Sequence, residues 1–298
     1  MSSRRPYPAW APWVFLAPFL LFFAAFAAWP LVRSFMLAFE QTFGPRTTTY
    51  VGLLNFRFLL HDPLFWTAVR NTVLYTLGTL VIQVPAALAL ALLLNRPDLR
   101  GRALFRLVFF SPTIVGTIFV GVIFSLLLEK RSGLVNTVLH AAFRSWNPDF
   151  PWVDGYVMPS LLLASLWLSA GFNMAYLLAA LQNVPADQLD AAAIDGANTW
   201  QRFRHVTLPA IQPVINILIL LTIAGSLQLF DLPFILYADS FGNGPNNAAL
   251  SIVTYLYQTG FRSGDLGYAS AIGWILTIIL VAIALAYRWL TRREDAAT

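Results

Sequence analysis

Six apolar runs set the terms on which this chain can fold. They lie at about 11–33, 70–95, 104–128, 157–181, 210–236 and 266–290. Each is long enough to cross the roughly 30 Å of bilayer hydrocarbon, which takes about 20 residues of helix. No water reaches the peptide groups at that depth, so each segment must close its own backbone hydrogen bonds. Continuous rather than alternating apolar residues then predict helices. The expected fold class is all-α: a polytopic membrane protein of about six transmembrane helices. Composition agrees, with 58% hydrophobic and 11% charged residues against about a quarter charged in soluble domains.

The first run follows Arg4 and Arg5, and Ala25-Phe26-Ala27 has the small residues of a signal cleavage site. Its apolar stretch from Ala11 to Val32 exceeds the roughly 7–15 residues of a signal core, so it is expected to stay as a first helix. Orientation follows from arginine beside the spans. With the N-terminus inside, Arg4, Arg5, Arg96, Arg100, Arg102, Arg106, Arg202, Arg204, Arg288, Arg292 and Arg293 face the cytoplasm. Arg33, Arg46, Arg57, Arg70, Lys130, Arg131, Arg144 and Arg262 fall outside or at outer span ends, over longer loops. Both termini are therefore expected in the cytoplasm, and the net charge of +5 reads as topology rather than as nucleic-acid binding.

Several reaction classes lack their residues. Without cysteine there is no disulfide framework, thiolate metal site or cysteine nucleophile. The one lysine, Lys130, sits in LEKRSGL without the glycine frame of a P-loop, so nucleotide hydrolysis has to come from another chain. His61, His140 and His205 lie in different loops without metal-ligand spacing, and no catalytic or metal residue is assigned.

The most polar passage is QNVPADQLDAAAIDGANTWQRFRHVTLPAI, residues 182–211, between the fourth and fifth runs. Pro185 suits the first turn of a helix, and Asp187 and Asp190 complement its dipole. Ala191 to Ala193 favour helix and keep its surface shallow. Gly196 can turn the chain, and Thr199 can cap a second short helix through Phe203 toward Leu208-Pro209. Such a pair is either a connector lying at the headgroups or a knob for a partner to grip.

Asp190-Ala191-Ala192, Gly196, Val206 and Leu208-Pro209 resemble the EAA loop of binding-protein-dependent ABC importer permeases, E-A-A-x-x-x-G-x9-I-x-L-P. Asp replaces the usual Glu and Val the usual Ile, and the spacing is kept. VGLLNFRFLLHDPLFWTAVRNTVLYT (51–76), LRGRALFRLVFFSP (99–112), GFNMAYLLAALQNVP (171–185), LQLFDLPFIL (227–236), GNGPNNAAL (242–250) and DLGYASAIGWIL (265–276) extend the likeness. They are similar to sugar-type permeases of the maltose and glycerol-3-phosphate importer class, and within it to the first permease subunit.

The resemblance implies a bacterial or archaeal inner-membrane importer for a sugar, polyol or glycerol phosphate. It implies a second permease, two ATPase subunits that hold ATP and Mg²⁺, and an external solute-binding protein. The EAA helix would be the coupling helix against the ATPase, on the cytoplasmic side. Residues 1–50 would form a tail, first span and start of an outer loop, and 51–298 the permease core.

A charge near the bilayer centre costs on the order of 3 kcal/mol, so an intramembrane Asp231 points to a cavity or partner. Three-residue spacing predicts Gln228 and Asp231 on one helix face, with Phe230 or Trp167 offering a ring to a sugar. On the fourth span Ser169 and Asn173 share a face, and Gly171 allows close approach. The same polar residues also suit plain interhelical hydrogen bonding. Pro85, Pro112, Gly116, Gly121, Pro213 and Pro233 mark kinks or hinges. A gradient-driven carrier or an intramembrane enzyme stays a rival, although neither several deep ionisable residues nor a nucleophile with its base is present.

Overall fold

A computed structural model describes residues 8, 10–43 and 47–295, the side chains of 43, 47 and 290–295 excepted. Arg4, Arg5 and Arg46 of the orientation argument lie outside the described residues, as do the side chains of Arg292 and Arg293. In chain order the elements are α1 (Ala11–Leu37), β1 (Glu40–Phe43), β2 (Thr47–Tyr50), α2 (Leu54–His61), α3 (Pro63–Asn95), α4 (Arg102–Val115) and α5 (Thr117–Leu127). There follow α6 (Leu134–Ala142), α7 (Trp152–Gly155), α8 (Val157–Gln182), α9 (Ala186–Ile194), α10 (Thr199–Leu227), α11 (Asp231–Leu236), α12 (Ile252–Tyr257) and α13 (Leu266–Asp295).

Among the described residues, five helices are long and apolar enough to cross a membrane: α1, α3, α8, α10 and α13. The expected span over 104–128 is not one continuous helix: at Pro112 and Gly116, read as marking a kink or hinge, α4 and α5 meet at a bend of 104°. Gly116 takes φ 91, ψ 159, a conformation closed to other residues, and Pro112 one turn earlier offers no N–H. The expected span over 210–236 is also corrected. It begins earlier, at Thr199, and ends at Leu227, because a helix continued through Pro233 would drive the proline ring into the carbonyl of Leu229.

Prolines leave a second signature. The chain forms one wide π-turn at Ala24–Ala28, before Trp29-Pro30, and another at Phe203–Thr207, before Leu208-Pro209. In each, an N–H reaches back five residues, Trp29 to Ala24 and Leu208 to Phe203. The widened turn makes room for a ring that a regular turn would crowd.

The chain divides into two compact units, residues 1–62 with 256–277, and 63–255 with 278–298. In the first, Asn55 donates to the carbonyls of Ala38 (3.0 Å) and Glu40 (2.9 Å), holding the end of α1 to the β1–β2 hairpin. Arg33 makes a two-pronged ion pair with Glu40, at 2.8 and 2.9 Å. The Tyr268 hydroxyl donates to Asp62 at 2.7 Å.

The second unit is organised by α3 against α8. Within lipid, apolar side chains gain nothing by leaving the solvent, so close packing and interhelical hydrogen bonds carry association. Ala87 and Ala91 of α3 are fully buried among Met174, Leu177 and Leu181 of α8. Gln83 donates to the Ser165 hydroxyl (3.0 Å), Ser226 to the Thr76 hydroxyl (3.0 Å) and Thr113 to the Leu168 carbonyl (2.9 Å). Such bonds contribute about 0.6 kcal/mol each, up to about 1.7. Gly171 packs against the Phe109 carbonyl so closely that a Cβ there would overlap it. Gly171→Ala should cost about 1–3 kcal/mol, read as a lower melting midpoint of the detergent-solubilised protein. An unchanged midpoint would show that α4 and α8 do not cross there.

Candidate functional site

A cavity of about 320 Å³ lies between α3, α5, α8, α10 and α11. That is the lower end of the roughly 300–1,000 Å³ of small-molecule sites. Of the residues nominated from sequence, Ser169, Asn173, Gln228, Phe230 and Asp231 line it. Trp167 and Gly171 do not. The Trp167 ring packs on Phe124, centroids 5.7 Å apart, and Gly171 is taken up by the crossing with α4.

The expectation that Gln228 and Asp231 share a helix face is corrected. Gln228 closes α10 and Phe230 leaves helical geometry at φ −140, ψ −59. Asp231 then opens α11. They reach one cavity because the helix is broken there. The break is satisfied internally: the Ser251 hydroxyl donates to the Leu229 carbonyl, and Ser251 and Thr254 hydroxyls bond each other at 2.9 Å. Asn71 holds the same loop by donating to the carbonyls of Asn247 (2.8 Å) and Leu250 (3.1 Å).

Asn173 is the wall's most informative residue. It is only 6% exposed, yet its amide has no hydrogen-bond partner among the described residues. Its amide atoms are not shut off from the cavity, so they are free to bond a polar group that enters it. Gln228 spends its NH₂ on the Ala224 carbonyl (2.9 Å), and Ser169 donates to the Ser165 carbonyl (2.7 Å), so both present acceptor oxygens. Asp231 is the one charged side chain in the lining. The wall therefore offers amides, hydroxyls and a carboxylate, with the Phe230 ring beside them.

Sequence reasoning missed Tyr75, Thr79, Gln83 and Thr222, which also line this space. The signal was present on the second run: Thr72, Thr76, Thr79 and Gln83 recur at four, three and four residues, a polar stripe on one helix face. All four are buried.

The polar passage forms a helical hairpin. Pro185 caps α9 from an extended conformation rather than entering its first turn. At the other end the Gly196 N–H bonds the Ala193 carbonyl (3.1 Å), and Ala197 N–H bonds Ala192 (3.0 Å). This reversal needs the positive φ of +82 at Gly196, although a Cβ there would meet nothing within 4 Å. The second helix is capped by Asn198, not Thr199: Asn198 Oδ1 accepts from Gln201 N–H (2.9 Å) and Gln201 Oε1 from Asn198 N–H (2.8 Å). That helix does not end at Leu208-Pro209 but runs on to Leu227 as one rod.

No residue of α9 is buried. Asp190 and Ala191 are exposed and Ala192 half-buried, while Val206 and Leu208 lie half-buried where α10 leaves the hairpin and Pro209 is exposed. Ile194 is 87% and Trp200 64% exposed. His61, His140 and His205 each place Nδ1 within 2.8–3.0 Å of a backbone carbonyl, of Arg57, Trp146 and Gln201 respectively.

Residues 83–296 match the family described as binding-protein-dependent transport system inner membrane component. The chain belongs to this family. The arabinooligosaccharides transport system permease protein AraP of Bacillus subtilis (strain 168) is 37% identical to this permease over 280 residues, 92% of this chain and 86% of that one. The lactose transport system permease protein LacF of Rhizobium radiobacter is 31% identical over 298 residues, 98% and 97% of the two chains. A crystal structure of a bacterial alginate ABC transporter in complex with an alginate pentasaccharide-bound periplasmic protein holds a chain that superposes with TM-score 0.83. It covers 96% of this permease and 95% of that chain at 24% identity, a likeness of fold. The permease is thus a multi-pass inner-membrane transport protein.

Asn198→Ala removes the Oδ1 acceptor of the capping box while leaving the backbone N–H of residue 198 to bond Gln201 Oε1, and should cost about 1 kcal/mol at the start of α10. The amides of Gln201 and Arg202 should then exchange with deuterium about five-fold faster; unchanged exchange would mean the cap does not hold the hairpin.

Proposed function

We propose that this permease is one of two membrane subunits of an ATP-driven importer for an oligosaccharide or related neutral sugar. It forms half of the path and takes its energy from a separate ATPase that binds ATP and Mg²⁺. An external solute-binding protein delivers the sugar, and both termini lie in the cytoplasm. The sugar-permease relatives support the cargo class, and the amide- and hydroxyl-rich wall around Asn173 suits it.

One observation carries the coupling. Helix α9 has no fully buried residue and, at 9 residues, is below the roughly 12–15 at which an isolated helix is marginally stable. It is nevertheless pinned at both ends, by the Gly196 turn and by the spans on either side. A rigid, bare helix of this kind is built to be held by another protein, here the ATPase, through Asp190, Ala191, Ala192 and the exposed Ile194.

Mechanically, α10 is the lever. From Trp200 to Gly225, at about 1.5 Å per residue, it runs about 37 Å as one continuous helix, through the π-turn at Phe203–Thr207 and past Pro213, and Leu221, Thr222, Gly225 and Ser226 at its far end line the cavity. Displacing the hairpin displaces the wall. The break at Gln228–Phe230 lets α11 stay behind, so the cavity can open or close.

Changing Gly196 to a bulky residue strains a left-handed position by about 1–2 kcal/mol, and Asp190→Lys reverses a charge on the bare face. In complexes reconstituted with binding protein, either change should leave ATP hydrolysis running while sugar uptake falls; uptake intact in both would sink the coupling assignment. Asn173→Ala and Gln228→Ala should each reduce uptake about ten-fold or more, equivalent to about 1.4 kcal/mol, with complex assembly unchanged. Normal uptake in both would remove these residues from the sugar's path.

A further inference from the structure

The segment from Arg96 to Arg106 carries Arg96, Arg100, Arg102 and Arg106 against a single acid, Asp98. Arg96 is consumed by Asp98, through bonds of 2.7 and 3.2 Å that hold its carboxyl below the ordinary range. Arg102 lies near enough for its charge to act on Asp98 but makes no ion pair with it, and Arg100 and Arg106 have no acidic partner among the described residues. Arg102 and Arg106 also occupy the first two turns of α4, where the helix dipole disfavours cations. At Arg106 the cost is visible in one atom: Nε is shut off from solvent and meets no acceptor. The side chain as a whole is half-buried, so its terminal nitrogens stay open to an acceptor that would sit over this end of α4.

Two hollows meet at this side chain. One, of about 600 Å³, is lined by Leu99, Gly101, Arg102, Ala103, Arg106 and Gln182, a wall of mixed polar and apolar character. The other, of about 460 Å³, shares Arg106 and Gln182 and continues between α4 and α8 past Leu107, Phe110, Ala175 and Leu178. Its lining is otherwise apolar. Gly171 closes its far end, where α8 meets the backbone of Phe109 and Phe110. Leu107 is 60% exposed, so the groove opens outward rather than into the core.

We propose that this composite hollow binds an anionic phospholipid, its phosphate held by Arg102 and Arg106 and one acyl chain laid between α4 and α8. A free phosphate would satisfy the arginines but leave the groove empty; a zwitterionic lipid would fill the groove but bring its own cation. Basic pockets between membrane helices next to the charged surface suit anionic headgroups, at about 1 kcal/mol per arginine. The site shares no lining residue with the sugar cavity and lies where α8 leads into the α9–α10 hairpin, so an occupied groove would brace the helix that carries it. It does not depend on what the permease transports.

The intact importer complex, purified in mild detergent and stripped of lipid, would be titrated with dioleoylphosphatidylglycerol, dioleoylphosphatidylcholine or glycerol 1-phosphate and followed by native mass spectrometry. Phosphatidylglycerol should bind at least about ten-fold more tightly than phosphatidylcholine. Arg102→Gln with Arg106→Gln should remove that preference, and the Lys pair at the same positions should restore it. Ala175→Trp, which fills the groove, should weaken phosphatidylglycerol with both arginines intact. Equal binding of the two lipids, or no effect of either the Gln pair or the Trp, would overturn the site. Glycerol 1-phosphate matching phosphatidylglycerol would overturn the lipid, and a benzoylphenylalanine at Ala175 that crosslinks only to another subunit would show that a protein covers the groove.

Discussion

Inside the hydrocarbon a peptide group has only the protein to bond to, and every departure from helix in this permease is shaped by that. The bend at Gly116 keeps its ladder, with Gly116 N–H to Pro112 (3.3 Å) and Val120 N–H to Gly116 (3.2 Å). The break after Leu227 gives the Leu229 carbonyl to Ser251, and the loop supplying Ser251 is tied to α3, where the Ile252 N–H bonds the Thr72 hydroxyl (3.1 Å). The two π-turns before Pro30 and Pro209 bond five residues back instead of four. Irregular backbone survives where side chains or a widened turn take over the lost bonds.

The same economy places function. A broken helix turns side chains at its break toward a shared space, which is why Gln228, Phe230 and Asp231 meet Asn173 and Ser169 although they do not share a helix face. The helix beside it stays continuous: α10 runs through the π-turn at Phe203–Thr207 and past Pro213 to Leu227.

Much of this was legible in the chain. The spans over 11–33, 70–95, 157–181 and 266–290 follow from apolar length, because the bilayer imposes that length on any helix that crosses it. The hairpin at 186–207 was legible because Gly196 is one of few residues able to hold φ near +82. The cap fell one residue early, to Asn198, since Asn and Thr both suit the position and only the backbone's entry into α10 decides between them. The lining from α3 went unread, although Tyr75, Thr79 and Gln83 spell it at four-residue spacing.

Sequence by itself determined that the chain is a membrane helix protein, where it turns, and which family it resembles, because these depend on hydrophobic length and on local backbone chemistry. Only the tertiary structure decided that the third run bends by 104° and that the fifth stops at Leu227. It also decided that Trp167 and Gly171 face neighbours while Asn173 faces the cavity. A proline or glycine permits a break without requiring one. Whether the break forms depends on partners from distant segments, Ser251 and Thr72 among them, that satisfy the bonds it frees.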